Sequence, residues 1–442
     1  MGCGRLVIFT WGNPATWRTY RYRAGFGRGV EVESCTTFVP VLNEFSGASK
    51  KTKVFLVVLD SLVDWRGEVA GESECSRCYS ECRSRVDLSG VSGYADLLRV
   101  NEDLVFCMLK CLGVERDVSV IVGPALGSPG GVWYFGGEHS STDFMSLVLY
   151  ELGREVLSEC YDEIVVDLSH GVNFMPSEVM VLAQMLASLS LLRHNVEKVF
   201  VRALNSDPVS GGLKGLLNIN TIYENTFTTI VLPEFPKRLM REKDKKFEDL
   251  RRAVSDVMRR VKNIIKSIYY PLPLVLVELC KSYENVDLLG SLNMVVNEWV
   301  KETKIDVSSK SVVHSFGIDP RAIYYVLLAF SACSMASKLS PTSENLEELA
   351  RHVYRDVSKS YYYLIVHEVS QVNILKDSGR RGGCVLLSEF HDKSARDEPN
   401  LRVLIAHAGL QKELVEVCFE EGVSLRYSAG AVEKILSSFE LP

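Results

Sequence analysis

Near the C-terminus, one arginine and one histidine stand in an otherwise apolar run, Asn400-Leu401-Arg402-Val403-Leu404-Ile405-Ala406-His407-Ala408-Gly409-Leu410. A guanidinium is permanently cationic and grips phosphate oxygens in a fork. An imidazole is the side chain best placed to move a proton near neutral pH. The pair suits phosphodiester cleavage without a metal, with His407 handling the proton and Arg402 the charge that grows on the phosphate. On an unbroken helix, five residues turn by ~500° and leave the two side chains ~140° apart. Either the helix loosens between Ala406 and Gly409, or the working site combines residues from two chains.

The elements that must carry this pair are helical. From Asp319-Pro320 onward the spacing predicts a helix ending near Lys338, one or two helices over Ser343–Lys376, another beginning at Glu398-Pro399, and a further helical segment over Gln411–Glu420. The uncharged run Ala322–Ser337 falls short of the ~20 apolar residues a membrane span needs and reads as a buried helix. Asp377–Gly383 is a flexible basic loop containing Arg380 and Arg381; it reads as a solvated connection, with contact to an RNA backbone as the alternative, since it stands just before the Arg402 stretch. Lone His352 and His367 on their helices read as structural.

The N-terminal half has a different rhythm. Short apolar runs at Arg5–Thr10, Val54–Leu59, Val118–Val122, Glu163–Asp167 and Lys198–Ala203 read as strands. They alternate with helices at Asn101–Leu112, Phe144–Cys160 and Ser177–Leu192, which means a mostly parallel sheet. Ligands bind such sheets beyond the carboxyl ends of the strands. Four loops fall at that edge: Trp11-Gly12-Asn13-Pro14-Ala15-Thr16-Trp17, Asp60-Ser61, the glycine-rich Gly123–Gly131 with Gly127-Ser128, and Ser169-His170-Gly171-Val172-Asn173-Phe174. Glycine turns and helix starts present backbone amides to anions. No G-x-G-x-x-G follows the first strand and no Walker lysine is present, so the edge is an anion pocket of another kind.

Between the halves, Leu217–Ile222 and Phe227–Leu232 read as short β runs, and Pro233 and Pro236 mark a boundary. Lys237–Lys266 is rich in both charges over an apolar stripe, as in an amphipathic connecting helix. Helices continue over Leu272–Lys281 and Leu288–Lys301, with room for a helix-turn-helix.

The 442 residues imply two or three domains, and 47% hydrophobic with 24% charged residues is a globular composition. A net charge of -6 argues against a protein that coats nucleic acid non-specifically, while leaving room for a local basic groove. No signal peptide or membrane span is apparent, so a cytoplasmic location is expected. The 12 cysteines are scattered, unlike a small secreted scaffold. Cys75, Cys78 and Cys82 cluster without a fourth ligand, which suggests an exposed insertion with a disulfide or free thiol rather than a metal site.

Two loops carry a resemblance. Trp11-Gly12-Asn13-Pro14 with Trp17, and Asp167-Leu168-Ser169-His170-Gly171-Val172-Asn173-Phe174-Met175-Pro176, resemble the signature loops of the CARF domain in type III CRISPR-associated CARF–HEPN ribonucleases of the Csx family. Arg402 and His407 are similar to the family's HEPN motif, R-x-x-x-x-H. One departure is Val403, where many members carry a polar residue, often asparagine; Asn400 lies on the other side of the arginine.

The resemblance implies a Rossmann-like CARF domain over 1–232, a helical linker over 233–315 and a helical HEPN bundle over 316–442. It implies a homodimer whose symmetric pocket takes a cyclic oligoadenylate, most often cyclic tetra-adenylate, and a metal-independent RNase that cuts single-stranded RNA to 2′,3′-cyclic phosphates. The pocket residues it implies are Trp11, Gly12, Asn13, Thr16, Trp17, Asp60, Ser61, Gly127, Ser128, Ser169, His170, Gly171, Asn173 and Phe174. The competing expectation is a non-catalytic ligand sensor that regulates transcription through the middle region.

Overall fold

The computed structural model describes residues 2–45, 50–65, 73–114, 117–137, 140–172, 174–209, 215–241, 244–373, 375, 382–390, 398–419 and 423–441. Eight strands form one sheet in the spatial order Glu31–Ser34, Tyr20–Ala24, Leu216–Phe227, Val199–Ser206, Tyr161–His170, Gly4–Trp11, Thr52–Leu59, Val118–Gly123. The last five are mutually parallel, while Leu216–Phe227 runs antiparallel to Val199–Ser206. Leu6 to Phe9 and Leu56 to Val58 are at most 1% exposed, the near-continuous apolar signature of strands buried on both faces. Helices Tyr94–Cys111, Asp143–Ser158 and Phe174–His194 pack against this sheet.

The chain order fixes where a ligand can sit. From Gly4–Trp11 the parallel sheet first grows outward through Thr52–Leu59 to Val118–Gly123. It then returns to the other side of Gly4–Trp11 with Tyr161–His170. That reversal opens a crevice between the carboxyl ends of the two neighbouring strands. Trp11 and His170 are register partners at that point.

The Leu216–Phe227 strand is a single 12-residue element, and no strand follows over 228–232, where a second β run was expected. Glu248–Tyr269 is the amphipathic helix of the middle region, followed by Pro273–Ser282 and Leu288–Glu302. Pro320–Ala336 is buried along most of its length and touches helices of both the N-terminal layer and the middle region. Tyr324 donates to the Val231 carbonyl at 2.6 Å and Ser146 to the Ile318 carbonyl at 2.7 Å, which fasten this helix to the sheet domain. The Phe174–His194 helix is long and apolar enough to cross a membrane by length and composition alone, and 67% of its apolar window is buried inside the fold.

The C-terminal region combines helices Ser343–Leu349, Lys359–Asn373, Leu401–Ala406 and Ala431–Ser437 with a three-stranded antiparallel sheet. One of its strands, Val415–Cys418, lies where a helix was expected. Val415 and Val417 are fully buried and Glu416 is turned partly outward, so the period is two rather than 3.6.

The cysteines also depart from expectation. Cys75, Cys78 and Cys82 are buried on the Glu74–Ser84 helix rather than exposed, and they pair with Cys35, Cys111 and Cys107. Cys3–Cys160, Cys280–Cys333 and Cys384–Cys418 complete the set, leaving no free thiol. The partners lie 25 to 157 residues apart, a distance only the fold closes.

Candidate active site and sensing edge

At the sheet edge, backbone geometry comes first. Gly12 donates to the His170 carbonyl at 2.7 Å. A Cβ on Gly12 would stand 2.2 Å from Val172 Cγ2 and 3.0 Å from the His170 oxygen, so the two loops touch through a position that admits only glycine. Gly171 is equally close-set, with a Cβ meeting Thr10 Oγ1 at 2.6 Å. Asn13 caps the short helix Pro14–Thr16 by accepting from the Ala15 amide at 3.0 Å, which leaves Thr16 exposed at its end.

Trp11 is buried and meets Trp17 edge-on at 5.2 Å, and Trp17 lies 4.5 Å from the His170 ring. His170 Nε2 accepts the Thr37 amide at 3.1 Å, so the proton of the neutral ring sits on Nδ1. Burial lowers the His170 pKa to about 4. At neutral pH this ring is therefore a hydrogen-bonding and stacking surface, not a cation. Asp167 beneath it accepts from Thr37 Oγ1 at 2.5 Å and Ser169 Oγ at 2.6 Å, and Ser169 Oγ in turn accepts the Ser206 amide at 3.0 Å. Burial raises the Asp167 carboxyl pKa, with the Ser169 and Thr37 hydroxyls opposing it. Thr37 was not legible from sequence, because it precedes a different helix and only the fold brings it under His170.

The other expected pocket residues differ in how they are placed. Asp60 and Ser61 are fully buried. The Asp60 carboxylate accepts from Tyr94 Oη and the Ala125 amide, both at 2.8 Å, and desolvation lifts its pKa to about 6. It therefore stitches the Gly127 loop from below rather than lining the pocket surface. Gly127, in the left-handed region at φ 79°, exchanges two 2.8 Å backbone bonds with Phe135, and Ser128 beside it is exposed. Both follow a strand two places from Gly4–Trp11, roughly 10 Å across the sheet. Phe174 opens its helix against Phe144 at 5.2 Å. Asn173 lies outside the described residues.

At the other end, Asn400 caps the Leu401–Ala406 helix, accepting the Arg402 and Val403 amides at 3.1 and 3.3 Å. Asn400 thus has a backbone role before the arginine. The helix then stops at Ala406, with His407 as its C-cap, Ala408 at φ 51° and Gly409 at φ 80°. The Gly409 amide closes on the Leu404 carbonyl at 2.7 Å, a Schellman ending. The turn out of helical geometry comes after His407, whose amide still bonds the Val403 carbonyl at 2.9 Å, so this ending does not itself bring the Arg402 and His407 side chains onto one face. Ala408 in the left-handed region is strain at the site itself.

His407 Nδ1 lies 3.0 Å from Glu368 Oε2, on the Lys359–Asn373 helix. A carboxylate only accepts, so Nδ1 carries a proton, and in the neutral ring Nε2 is the accepting nitrogen. Among the described residues, the exposed Arg402 guanidinium has no carboxylate partner. Glu368 was missed in the sequence because its 39-residue separation from His407 hides the pair. Of the Asp377–Gly383 loop, residues 377–381 lie outside the described residues.

Strand-end crevice and Arg/His helix end together define a two-ended protein of the CARF–HEPN class. Two family models match the chain in register with this division: the CARF domain of CRISPR system endoribonuclease Csx1 over residues 6–208, and the HEPN domain of the same family over residues 358–429. A CRISPR system endoribonuclease Csx1 from Methanocaldococcus jannaschii is 23% identical over 471 aligned positions, covering 97% of this chain and 92% of that protein. The chain belongs to the Csx1 family of CRISPR-associated CARF–HEPN endoribonucleases.

Proposed function

We propose that this protein is a single-stranded RNA endoribonuclease of type III CRISPR defence that works as a homodimer, needs no metal and is switched on by a cyclic oligoadenylate, cyclic tetra-adenylate being the expected ring. The observation that carries the reading is the His407–Glu368 pair at the end of the helix that also bears Arg402. His407 Nε2 takes the proton of an RNA 2′-hydroxyl, and the 2′-oxygen attacks the adjacent phosphorus. Glu368 accepts from Nδ1 and steadies the imidazolium that forms. Arg402 stabilises the charge on the phosphate oxygens. The 5′-oxygen departs as a hydroxyl, taking up the proton that the imidazolium or a water gives back, and leaves a 2′,3′-cyclic phosphate. DNA has no 2′-hydroxyl and is spared.

The ring would lie over the switch-point crevice, with its phosphates toward the Gly12 and Gly171 turns and the start of the Phe174–His194 helix. Its bases would meet Trp17 and His170. The alternative reading, a transcription regulator, needs a free wing and recognition helix. Here the Lys304–Asp306 and Ser311–Val313 hairpin is docked on Tyr134–Gly136, and the exposed positions of Leu288–Glu302 include Met294 and Asn297 rather than a basic row. This favours the ribonuclease.

The test is cleavage of labelled RNA in EDTA, with and without cyclic tetra-adenylate. The wild type should cleave only with the ring. Arg402→Ala and His407→Ala should be inert while still binding it. Full activity in His407→Ala would sink the mechanism.

A further inference from the structure

One groove is used by nothing described so far. Segment Glu234–Met240 and one face of the Glu248–Tyr269 helix line it, and its volume is about 880 Å³. Its lining carries six cations, Lys237, Arg238, Arg251, Arg252, Arg259 and Lys262, against two carboxylates, Glu234 and Glu248. The whole chain has a net charge of -6, so positive charge is concentrated here against the overall balance.

The helix cations at 251, 252, 259 and 262 fall within about 100° of one another around the helix and form a stripe about 16 Å long from Arg251 to Lys262 at 1.5 Å per residue. Arg252 pairs with Glu248 at 3.2 Å and Arg259 with Asp256 at 2.5 Å. Exposed pairs of this kind are weak and yield readily to a phosphate. Lys237, Arg238 and Lys262 are exposed and have no carboxylate partner among the described residues. Between the cations lies an apolar floor that includes Phe235, Leu239 and Met258.

We propose that this groove is a docking track for single-stranded RNA, separate from the Arg402–His407 site, a proposal that rests on the ribonuclease reading above. Phosphates follow the cationic stripe, and unstacked bases lie on the apolar floor. A duplex keeps its bases stacked inside and gains nothing from that floor. The direction also fits. The helix ends at Tyr269, about 10 Å beyond Lys262. It leads to Leu272, whose Cδ2 lies 3.0 Å from the Cβ position of Gly409, two residues from His407. A strand laid along the helix is thereby directed at the cleavage site.

The test uses full-length protein with Lys237→Gln, Arg238→Gln and Lys262→Gln together. Binding of a fluorescent single-stranded RNA of about 20 nucleotides, longer than the groove needs, is followed by anisotropy across a salt series in a His407→Ala background. Losing three phosphate contacts should lessen the slope of log K against log salt by about 2, at roughly 0.7 per contact. With His407 intact and cyclic tetra-adenylate present, KM for the long RNA should rise about tenfold or more, while cleavage of a tetranucleotide too short to span both sites stays within about twofold. Ring affinity should not change, and the protein with its groove intact should bind the single strand more tightly than a duplex of the same length. An unaltered slope in a protein that cleaves RNA when activated overturns the docking track and leaves the ribonuclease reading standing. A groove-intact protein that binds duplex as tightly as the single strand overturns the single-strand assignment. A wild type that cleaves no RNA overturns the reading beneath both.

Discussion

The Glu368–His407 contact gives a prediction with a magnitude. Glu368→Gln keeps the shape and an accepting oxygen but removes the charge that steadies the imidazolium. The two atoms are 3.0 Å apart, with the His407 side chain 51% exposed and that of Glu368 17%. With half of the imidazole in water, the solvent end of the dielectric range applies. There a unit pair at this distance is worth about 1.4 kcal/mol, roughly tenfold in rate. Single-turnover cleavage of RNA by the ring-activated enzyme should therefore fall about tenfold in kcat for Glu368→Gln, with KM and ring affinity unchanged. His407→Ala should lose about 10²- to 10⁴-fold. The double variant should be no worse than His407→Ala alone, because Glu368 acts only through the imidazole. A Glu368→Gln enzyme at wild-type kcat would refute the orientation argument. So would an additive double variant, which would give Glu368 a task independent of His407.

Three further outcomes follow from the sensing edge. Gly12→Ala forces a methyl to within 2.2 Å of Val172 Cγ2; overpacking of this kind costs about 1–3 kcal/mol, and calorimetry should show ring binding lost, with partial recovery in Gly12→Ala/Val172→Ala. His170 has its pKa lowered to about 4 in the fold against 6.5 in the unfolded chain, so only the unfolded state takes up a proton between those values and stability must fall as pH drops from about 6.5 to about 4. Denaturant melts at pH 7 and pH 5 should show a smaller fall for His170→Gln than for the wild type, the difference isolating His170 from Asp60, whose pKa, raised to about 6, has the opposite sign. Opening the Cys35–Cys75 link, which closes a separation of 40 residues, with Cys35→Ser/Cys75→Ser should cost about 4 kcal/mol in melts by chain entropy and weaken ring binding; unchanged stability would count against that link.

The sheet domain was legible because its strands are short apolar runs that alternate with amphipathic helices, and a parallel sheet is what such alternation builds. The switch-point loops were legible because glycine and tryptophan stand at strand ends. What escaped were relations across sequence. Asp60 ends a strand like any edge residue, and nothing local says that Tyr94 and Ala125 will draw its carboxylate inward. Cys75, Cys78 and Cys82 look polar and exposed until the Tyr94–Cys111 helix supplies two of their partners. Val415–Cys418 was readable as a strand from its alternation, but the surrounding helical pattern overrode it. His407 was found by its type, while Glu368 needed the packing of two helices to become its partner.

The burial of Asp60 also bears on how the two ends communicate. Its carboxylate holds Ala125 in the Gly127 loop and Tyr94 on the Tyr94–Cys111 helix. The Tyr94 ring meets Trp299 edge-on at 5.3 Å and His314 at 6.0 Å, and His314 Nδ1 lies 3.0 Å from Asp143. Asp143 Oδ1 accepts the Ile318 amide, two residues before the Pro320–Ala336 helix. The row mixes hydrogen bonds with ring contacts, and His314 Nε2 is buried without a hydrogen-bond partner, so its arrangement is set as much by packing as by polar pairing. The Gly127 loop and the helix that packs on the middle region are therefore joined by a continuous series of buried contacts. A shift of the Gly127 loop on ligand binding would have to be accommodated along that row, not absorbed locally.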